Sequence, residues 1–316
     1  MKILLVNKYL YRKGGAETYF IKLGEYLKSL GNEVEYFGMA DERNCVENRV
    51  EAYTENIDFH KKSLKHITYP FKIIYSVNAR KQIRKVLSDF KPDVVHLNNF
   101  NYQLTPSIIY EIKKHNIPIV YTAHDVQLVC PNHKLKNDYT YGLCRKCDGG
   151  KYFECVKNNC VHSSKIRSIL GAVEAWYYKL RHTYKMIDLT VCPSEFMEKE
   201  ISRNDDINGR TVTMYNFIDE IKPLGAECEN YVLYFGRYSE EKGILNLVKA
   251  AKKLSNIPFV FAGKGELENE VNSADNIKNV GFKTGDELRN IIEKALFTVL
   301  PAEWSENCPF SVMESQ

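Results

Sequence analysis

Short apolar runs alternate along the chain with longer segments in which apolar residues recur every three or four positions. The runs predict buried strands, and the longer segments predict amphipathic helices. The first part of the chain has six predicted strands: Lys2–Asn7, Glu33–Gly38, Val94–Asn99, Ile117–His124, Leu189–Pro193 and Val212–Phe217. Its predicted helices are Ala16–Ser29, Phe71–Leu87, Thr105–His115, Lys165–Met186 and a short one from Glu195. This alternation is typical of a mostly parallel sheet covered by helices on both faces.

The same alternation starts again after Pro223. The predicted strands are now Tyr231–Phe235, Phe259–Ala262, Ile277–Val280 and Leu296–Leu300, and the predicted helices are Ile244–Leu254, one after the Gly263-Lys264-Gly265 turn, and one from Gly285. Two Rossmann-like α/β domains are therefore expected, over residues 1–220 and 221–316, with linker composition at residues 218–228. The second series has few strands for a complete doubly wound sheet, so we expect a C-terminally truncated second domain.

Composition is ordinary for a soluble protein, with 44% hydrophobic and 27% charged residues. No stretch approaches the ~18 apolar residues of a membrane-spanning helix, and the expected location is cytoplasmic. The net charge of +4 combines a balance of +7 over residues 1–220 with −3 over the remainder. A basic first part favours an anionic partner such as membrane lipid or a phosphate-bearing substrate, although an ordinary solvated surface explains the excess equally well. We expect no nucleic-acid partner.

Two glycines precede the first predicted helix. Gly14 and Gly15 would let the backbone approach a ligand closely, and the helix N-terminus behind them offers unpaired N–H groups to a phosphate. Simple turn chemistry is the alternative explanation for such a pair.

Two cations stand where the second strand–helix series begins. Arg237 ends a predicted strand after Gly236, at the edge where open α/β sheets bind ligands, and Lys242 lies five residues further on, just before Gly243. A guanidinium and an ammonium in these positions would clamp a diphosphate. Two solvated surface cations are the competing interpretation.

The last segment places two glutamates eight positions apart, Glu306 and Glu314, around an apparent helix start at Pro309. Amides at such a start would face a phosphate, and the carboxylates would accept hydrogen bonds from sugar or ribose hydroxyls.

In this order and spacing, the motifs resemble those of the retaining glycosyltransferases of family 4. The resemblance covers the whole chain, and its matched residues are Gly14, Gly15, Gly236, Arg237, Lys242, Gly243, Glu306 and Glu314. His124-Asp125 and Asn216 are lesser matches, and Asn216 stands in Tyr-Asn-Phe-Ile-Asp where the family usually has Pro-Asn-Gly-Val-Asp.

The resemblance implies a GT-B fold, in which two Rossmann-like domains face each other across a cleft and the second holds a UDP- or GDP-sugar. It implies that Arg237 and Lys242 stabilise the leaving diphosphate, with help from the amides of Asn307–Phe310 and from Gly14 and Gly15. By the same resemblance Glu314 binds the ribose, Glu306 binds the transferred sugar, and His124 lines the reacting centre on the acceptor side.

The resemblance also implies a reaction. The anomeric configuration is retained by front-face attack, so neither a carboxylate nucleophile nor a catalytic metal is required, unlike in hydrolases that retain by double displacement. The implied product is a cell-surface polysaccharide or glycolipid, built on a glycan or lipid-linked acceptor. The alternatives are a nucleotide-sugar epimerase or a phosphorylase of the same fold, although no cofactor-lysine site supports the phosphorylase, and a non-catalytic binding fragment.

A cysteine-rich insert, residues 130–163, interrupts the pattern after His124. Cys144 and Cys147 have the spacing of a zinc knuckle, and Cys155 and Cys160 would complete a tetrahedral structural site, which leaves Cys130 outside it. Buried thiols and a disulfide are the alternatives. The helix that follows mixes apolar and basic residues, as interfacial helices do, so contact with the inner face of a membrane competes with packing inside the domain.

Overall fold

The computed structural model describes residues 1–56, 69–136, 142–220 and 222–316, except for side chains before Lys72 in helix α2. These residues contain ten strands: β1 (Lys2–Val6), β2 (Glu33–Phe37), β3 (Val94–Leu97), β4 (Ile119–Thr122), β5 (Leu189–Cys192), β6 (Thr211–Thr213), β7 (Val232–Arg237), β8 (Phe259–Lys264), β9 (Ile277–Asn279) and β10 (Phe297–Thr298).

The same residues contain eleven α-helices: α1 (Gly15–Ser29), α2 (Tyr69–Ile74), α3 (Val77–Phe90), α4 (Ser107–Lys114), α5 (Phe153–Lys157), α6 (Lys165–Leu180), α7 (Glu195–Ile201), α8 (Ile244–Lys253), α9 (Glu268–Val271), α10 (Gly285–Lys294) and α11 (Phe310–Ser315). The chain divides into two compact units, unit 1 (Met1–Tyr215) and unit 2 (Asn216–Gln316). The sequence analysis places the domain boundary between residues 220 and 221.

Unit 1 is built on a six-stranded parallel sheet in the order β2-β1-β3-β4-β5-β6. Successive side chains of a strand point to opposite faces of the sheet, so β1 contributes side chains to the cores on both faces. Leu4 and Val6 join the core under α3 and α4, whereas Ile3 and Leu5 pack with Phe20 of α1 on the other face. The two cores confirm the predicted arrangement of a sheet covered on both sides.

The strand order of this parallel sheet reverses at β1, because β2 lies on one side of β1 and all the later strands lie on the other. Ligands of open parallel sheets bind beyond the carboxyl ends of strands at such a reversal. The segments that leave β1 and β3 are joined there, because the Lys8 N–H donates to the Asn99 carbonyl at 2.7 Å and the Asn99 N–H donates to Asn7 Oδ1 at 3.0 Å.

Unit 2 has a four-stranded parallel sheet in the order β10-β7-β8-β9. Tyr234 and Phe261 lie in the core beneath α8, and Leu233 and Val260 pack on the opposite face against α10. The strand order reverses at β7, since β8 and β9 lie on one side of it and β10 on the other. The segments that follow β7 and β10 therefore meet at one edge of the sheet.

Three predicted elements differ from the structure in physically interpretable ways. The predicted helix Phe71–Leu87 is divided into α2 and α3, because Ser76 is extended and its Oγ accepts a hydrogen bond from the Ala79 N–H at 3.1 Å, which starts a new helix. The predicted helix Lys165–Met186 ends at Leu180, because His182 adopts a left-handed conformation with φ 47°. The predicted Gly263-Lys264-Gly265 turn begins later, because β8 stays paired with β7 as far as Lys264.

In the part of the chain that the structure describes, no helix has the length and apolar character needed to cross a membrane.

Candidate functional site

Strand β7 ends in a glycine and an arginine, at the edge of the unit 2 sheet where the strand order reverses. Gly236 has a φ of 146°, a conformation that residues with a side chain rarely adopt. The Arg237 side chain that follows is 61% exposed, and its Nη1 lies 3.9 Å from a carboxylate oxygen of Glu241. At that distance the pair is loose, so the guanidinium is available to an anion.

Lys242 and Glu306 meet at the same edge, although 64 residues separate them in sequence. Lys242 Nζ donates to Glu306 Oε1 at 2.5 Å, and Trp304 Nε1 donates to the same oxygen at 2.7 Å. The ammonium also lies 5.5 Å from the centroid of the Trp304 ring. The two charged side chains are only 22% and 16% exposed, so water screens their attraction weakly.

Gly243 explains how the turn that carries Lys242 comes so close to the segment after β10. Its φ is 72°, and a Cβ added there would lie 1.9 Å from the Pro301 carbonyl oxygen. Two hydrogen bonds fasten the same segments together: the Glu303 N–H donates to the Glu241 carbonyl at 3.0 Å, and Asn246 Nδ2 donates to Glu303 Oε1 at 2.6 Å. The backbone therefore fixes where Lys242 and Glu306 meet.

The segment beyond Glu306 turns sharply before the last helix. Cys308 has a φ of 51°, and its carbonyl accepts a hydrogen bond from Asn216 Nδ2 at 2.9 Å. Pro309 then occupies the N-cap position of α11, whose first residue is Phe310. Asn307 therefore lies in the turn and Glu314 lies in the helix, and the roles predicted for Asn307, Phe310 and Glu314 stay predictions.

In unit 1 the glycine pair lies at the start of α1. Gly14 is the N-cap residue with extended backbone, Gly15 is the first helical residue, and the Gly14 carbonyl accepts hydrogen bonds from Thr18 N and Oγ1, both at 3.0 Å. The first N–H groups of any helix lack partners within the helix. The phosphate-binding role predicted for Gly14 and Gly15 stays a prediction.

His124 lies two residues after the end of β4. Its Nε2 is 2.9 Å from Asn98 Oδ1, and the edge of its ring contacts Tyr19, with the centroids 5.1 Å apart. Burial lowers the pKa of His124 to about 4. Nearby, His96 Nε2 is 2.7 Å from Thr122 Oγ1, and burial together with the charge of His124 lowers the pKa of His96 to about 4. Both imidazoles are therefore neutral near pH 7.

A buried polar cluster that was not predicted from the sequence lies beside His124. Lys8 Nζ donates to Asn101 Oδ1 at 2.9 Å, and burial lowers the pKa of Lys8 to about 8. His133 Nδ1 lies 3.4 Å from Asp125 Oδ2. Burial raises the pKa of Glu174 to about 7, against the effect of the positive charge of His133. Lys8 lies just beyond the end of β1, where the strand order reverses, and this position was the signal in the sequence that could have indicated the cluster.

The described part of the insert, which excludes residues 137–141, brings five cysteines to one cavity rather than the predicted four. The sulfur-bearing residues of its lining are Cys130, Cys144, Cys147, Cys155 and Cys160. Burial, together with the nearby Cys130, Cys160 and Cys144, raises the pKa of Cys147 to about 12. No group of three or more His, Cys, Asp or Glu side chains among the described residues already has the spacing to hold a metal ion. The zinc site therefore stays a prediction.

Comparison with known proteins supplies the family. Residues 13–221 match the family described as Glycosyltransferase Family 4, and residues 217–316 match Glycosyl transferases group 1. The chain belongs to glycosyltransferase family 4. It is therefore a group 1 glycosyltransferase, and the epimerase alternative is the weaker one.

Three similar proteins place this membership in context. An uncharacterised 42.6 kDa protein of the cps region of Klebsiella pneumoniae is 26% identical over 97% of this chain and 80% of its own length. Anabaena HepE, solved with UDP and glucose, is 15% identical over 100% of this chain and 78% of its own, with a TM-score of 0.62. Sucrose-phosphate synthase from Thermosynechococcus elongatus is 14% identical over 99% and 78%, with a TM-score of 0.64. The two solved structures confirm the predicted GT-B fold.

Proposed function

We propose that this glycosyltransferase moves a hexosyl group from a UDP- or GDP-sugar to a glycan or lipid-linked acceptor, with retention of configuration and without a catalytic metal. The observation that carries the proposal is the contact of Lys242 with Glu306 at the edge of the unit 2 sheet, beside the exposed Arg237. One carboxylate and two cations in that place match the chemistry of a sugar diphosphate.

The cations act on the leaving group. When the bond between sugar C1 and the diphosphate oxygen breaks, negative charge grows on the diphosphate, and fixed positive groups stabilise that charge more than the ground state. Lys242 is held in place by Glu306, and a bound diphosphate would compete with Glu306 for its ammonium. Glu306 is then released to accept hydrogen bonds from hydroxyls of the transferred sugar.

The reaction balances without a metal or an enzyme nucleophile. An acceptor hydroxyl forms the new bond to C1 on the face that the diphosphate leaves, and its proton passes to the departing phosphate oxygen. The two cations perform the charge neutralisation that a divalent ion performs in other transferases. Asn307, Phe310 and the Gly14-Gly15 start of α1 would add N–H donors to the phosphates, and Glu314 would bind the ribose.

Unit 1 is proposed to bind the acceptor. His124 is neutral at pH 7 and is oriented by Asn98, so it would form hydrogen bonds at the reacting centre without adding charge. Helix α6 presents exposed apolar side chains that suit a membrane surface, and a lipid-linked acceptor would be found there. The similar protein from a cps region supports a role in polysaccharide synthesis, and the similar HepE with UDP and glucose supports a UDP-sugar donor.

Donor binding tests the proposal directly. The 316-residue chain is titrated by calorimetry with UDP-glucose, UDP-galactose, UDP-N-acetylglucosamine and GDP-mannose. We expect one donor class to bind with a Kd below about 1 mM, in the range of enzyme substrates, and to bind at least tenfold more weakly to Arg237→Ala. The product anomer formed from that donor is then read by NMR. Absence of binding by every donor, or an inverted product, would overturn the proposal.

A further inference from the structure

Five of the nine cysteines of the chain line one cavity, which is an unusual concentration. Cys130, Cys147 and Cys155 carry thiols rather than disulfides. Electrostatic contacts between cysteines connect Cys147 with Cys130, Cys144 and Cys160, and they connect Cys155 with Cys130, Cys147 and Cys160. Cys147 therefore has such contacts with all four of the other cysteines, whereas Cys130 and Cys155 have them with three each.

Backbone donors surround the sulfur of Cys130. The N–H groups of Asn132, Leu135 and Lys134 face it, and its own Sγ donates to Asn132 Oδ1 at 2.8 Å. Cys147 likewise receives the N–H of Cys155. Burial raises the pKa of Cys130, and these amides oppose that effect, because hydrogen bonds to a sulfur stabilise its anionic, metal-binding form.

We propose that Cys130 and Cys147, with two of Cys144, Cys155 and Cys160, bind one structural zinc ion. Four thiols each release a proton, and the four thiolates and the ion together carry a charge of −2. Lys136 lines the same cavity and offsets part of that charge, whereas Arg145 and Asp148, which also line it, are paired with Glu200 and Arg203. The described sulfurs do not yet have ligand spacing, so binding requires rotation of these short side chains within the cavity.

The insert needs such a fastening because it contributes little core of its own. Leu135 and Tyr152 are the large apolar side chains buried within its described residues. Two ion pairs attach it to α7 and to the turn after α7: Arg145 pairs with the buried Glu200, and Asp148 pairs with Arg203. A four-thiolate zinc site supplies folding free energy that so small a core lacks.

The zinc site would also order the acceptor side of unit 1. His133 follows Cys130 by three residues, and its N–H donates to the Cys130 carbonyl at 2.9 Å. The His133 ring in turn contacts Asp125, next to His124. A metal that fixes Cys130 therefore fixes this turn of unit 1.

The test measures zinc in the full chain, purified without chelator, by elemental analysis. We expect about one zinc per chain, and at least a tenfold lower content in Cys130→Ser and in Cys147→Ser. Among single serine variants of Cys144, Cys155 and Cys160, two are expected to lose zinc and one to retain it. Cys45→Ser and Cys228→Ser, which change exposed cysteines outside the cavity, are the matched controls and should retain it.

A second measurement guards against variants that simply unfold. Refolded wild-type protein is titrated with Zn²⁺ alone, and thermal unfolding is followed with and without the metal. We expect saturation at about one equivalent and a higher Tm with zinc. Absence of zinc in the purified protein with no effect of added Zn²⁺, iron in its place, or full retention of zinc in Cys130→Ser would overturn the proposal.

Discussion

At the scale of single residues, unit 2 is organised around one carboxylate. Glu306 accepts hydrogen bonds from Lys242 and Trp304 on the same oxygen, and this contact holds the lysine ammonium in one position. Arg237 has no comparable restraint, since its described ion pair spans 3.9 Å. Lys242 is therefore preorganised for an anion, whereas Arg237 loses side-chain freedom when it engages one.

We expect Lys242→Ala and Arg237→Ala each to lower kcat by roughly 100- to 1000-fold, the cost of removing one donor that stabilises developing charge. Lys249→Ala, an exposed change in α8, is the matched control and should keep wild-type turnover. Glu306 keeps its Trp304 donor in Lys242→Ala, so the loss of stability should stay below the ~3–5 kcal/mol of breaking a fully buried pair. Wild-type turnover in both variants would exclude these cations from the mechanism.

Two buried imidazoles make the stability of unit 1 sensitive to acid. The pKa values of His96 and His124 are lowered to about 4, so the unfolded chain binds more protons than the folded one between pH 6.5 and 4. Their contribution to stability is complete above pH 6.5 and is lost as pH falls toward 4. Glu174, with a pKa raised to about 7, has the opposite sign, because its contribution is lost as pH rises through 7.

A single variant isolates this effect. His96→Gln retains a side chain that can reach Thr122 but does not titrate. Between pH 6.5 and 4 we expect its free energy of unfolding to fall by on the order of 2 kcal/mol less than that of the wild type. The measurement is the free energy of unfolding from urea titrations at several pH values. Identical pH dependence in the two proteins would show that His96 is accessible to protons in the folded state.

At the scale of elements, hydrophobic periodicity was enough to predict the strands of both sheets, because buried parallel strands have apolar sequences of the right length. It could not predict the division at Ser76 or the end of α6, which depend on one side-chain cap and one left-handed residue. The candidate site, too, could be predicted from the sequence only in part. Motif spacing identified Lys242 and Glu306, but their contact depends on Gly243 touching Pro301 across the fold.

Helix α6 carries the element-scale prediction. Ile166, Ile169, Val173, Trp176 and Leu180 are exposed at alternating spacings of three and four, so they form one apolar stripe. Basic residues accompany it: Lys165, Arg167, Lys179, Arg181 and Lys185. We expect Ile166→Ser/Leu180→Ser to bind phosphatidylglycerol vesicles at least tenfold more weakly than wild type, since each buried apolar side chain contributes ~1.5–3 kcal/mol.

The matched control is Val77→Ser/Leu254→Ser, which removes two exposed apolar side chains that do not belong to α6. It should bind vesicles as wild type does, and raised salt should weaken binding of both proteins because the basic residues are screened. Equal binding by the two double variants would mean that α6 is not the membrane contact.

At the scale of the whole molecule, one topological rule places both groups of candidate residues. The strand order of each sheet reverses at its first strand; Lys8 follows that strand in unit 1, and Arg237 ends it in unit 2. The charges differ between the two parts of the chain, with +7 over residues 1–220 and −3 beyond. We therefore expect any attraction of anionic lipid to come from residues 1–220.

Metal independence is the last prediction, and it requires two metals to be kept apart. In the proposed mechanism Arg237 and Lys242 supply the positive charge that the leaving diphosphate needs. EDTA should therefore leave the initial rate of transfer within about twofold of the untreated value, far from the 100-fold effect of removing one such cation. The proposed zinc in the cysteine cavity responds differently, because a chelator that extracts it would lower the Tm. Rates are therefore measured well below the Tm of the chelated protein, and the Tm is recorded on the same samples. Activity that disappears with EDTA and returns with Mg²⁺ or Mn²⁺, while the Tm stays constant, would contradict the proposed role of the two cations. A fall in Tm that Zn²⁺ alone reverses, with the rate unchanged, is the combination that both proposals require.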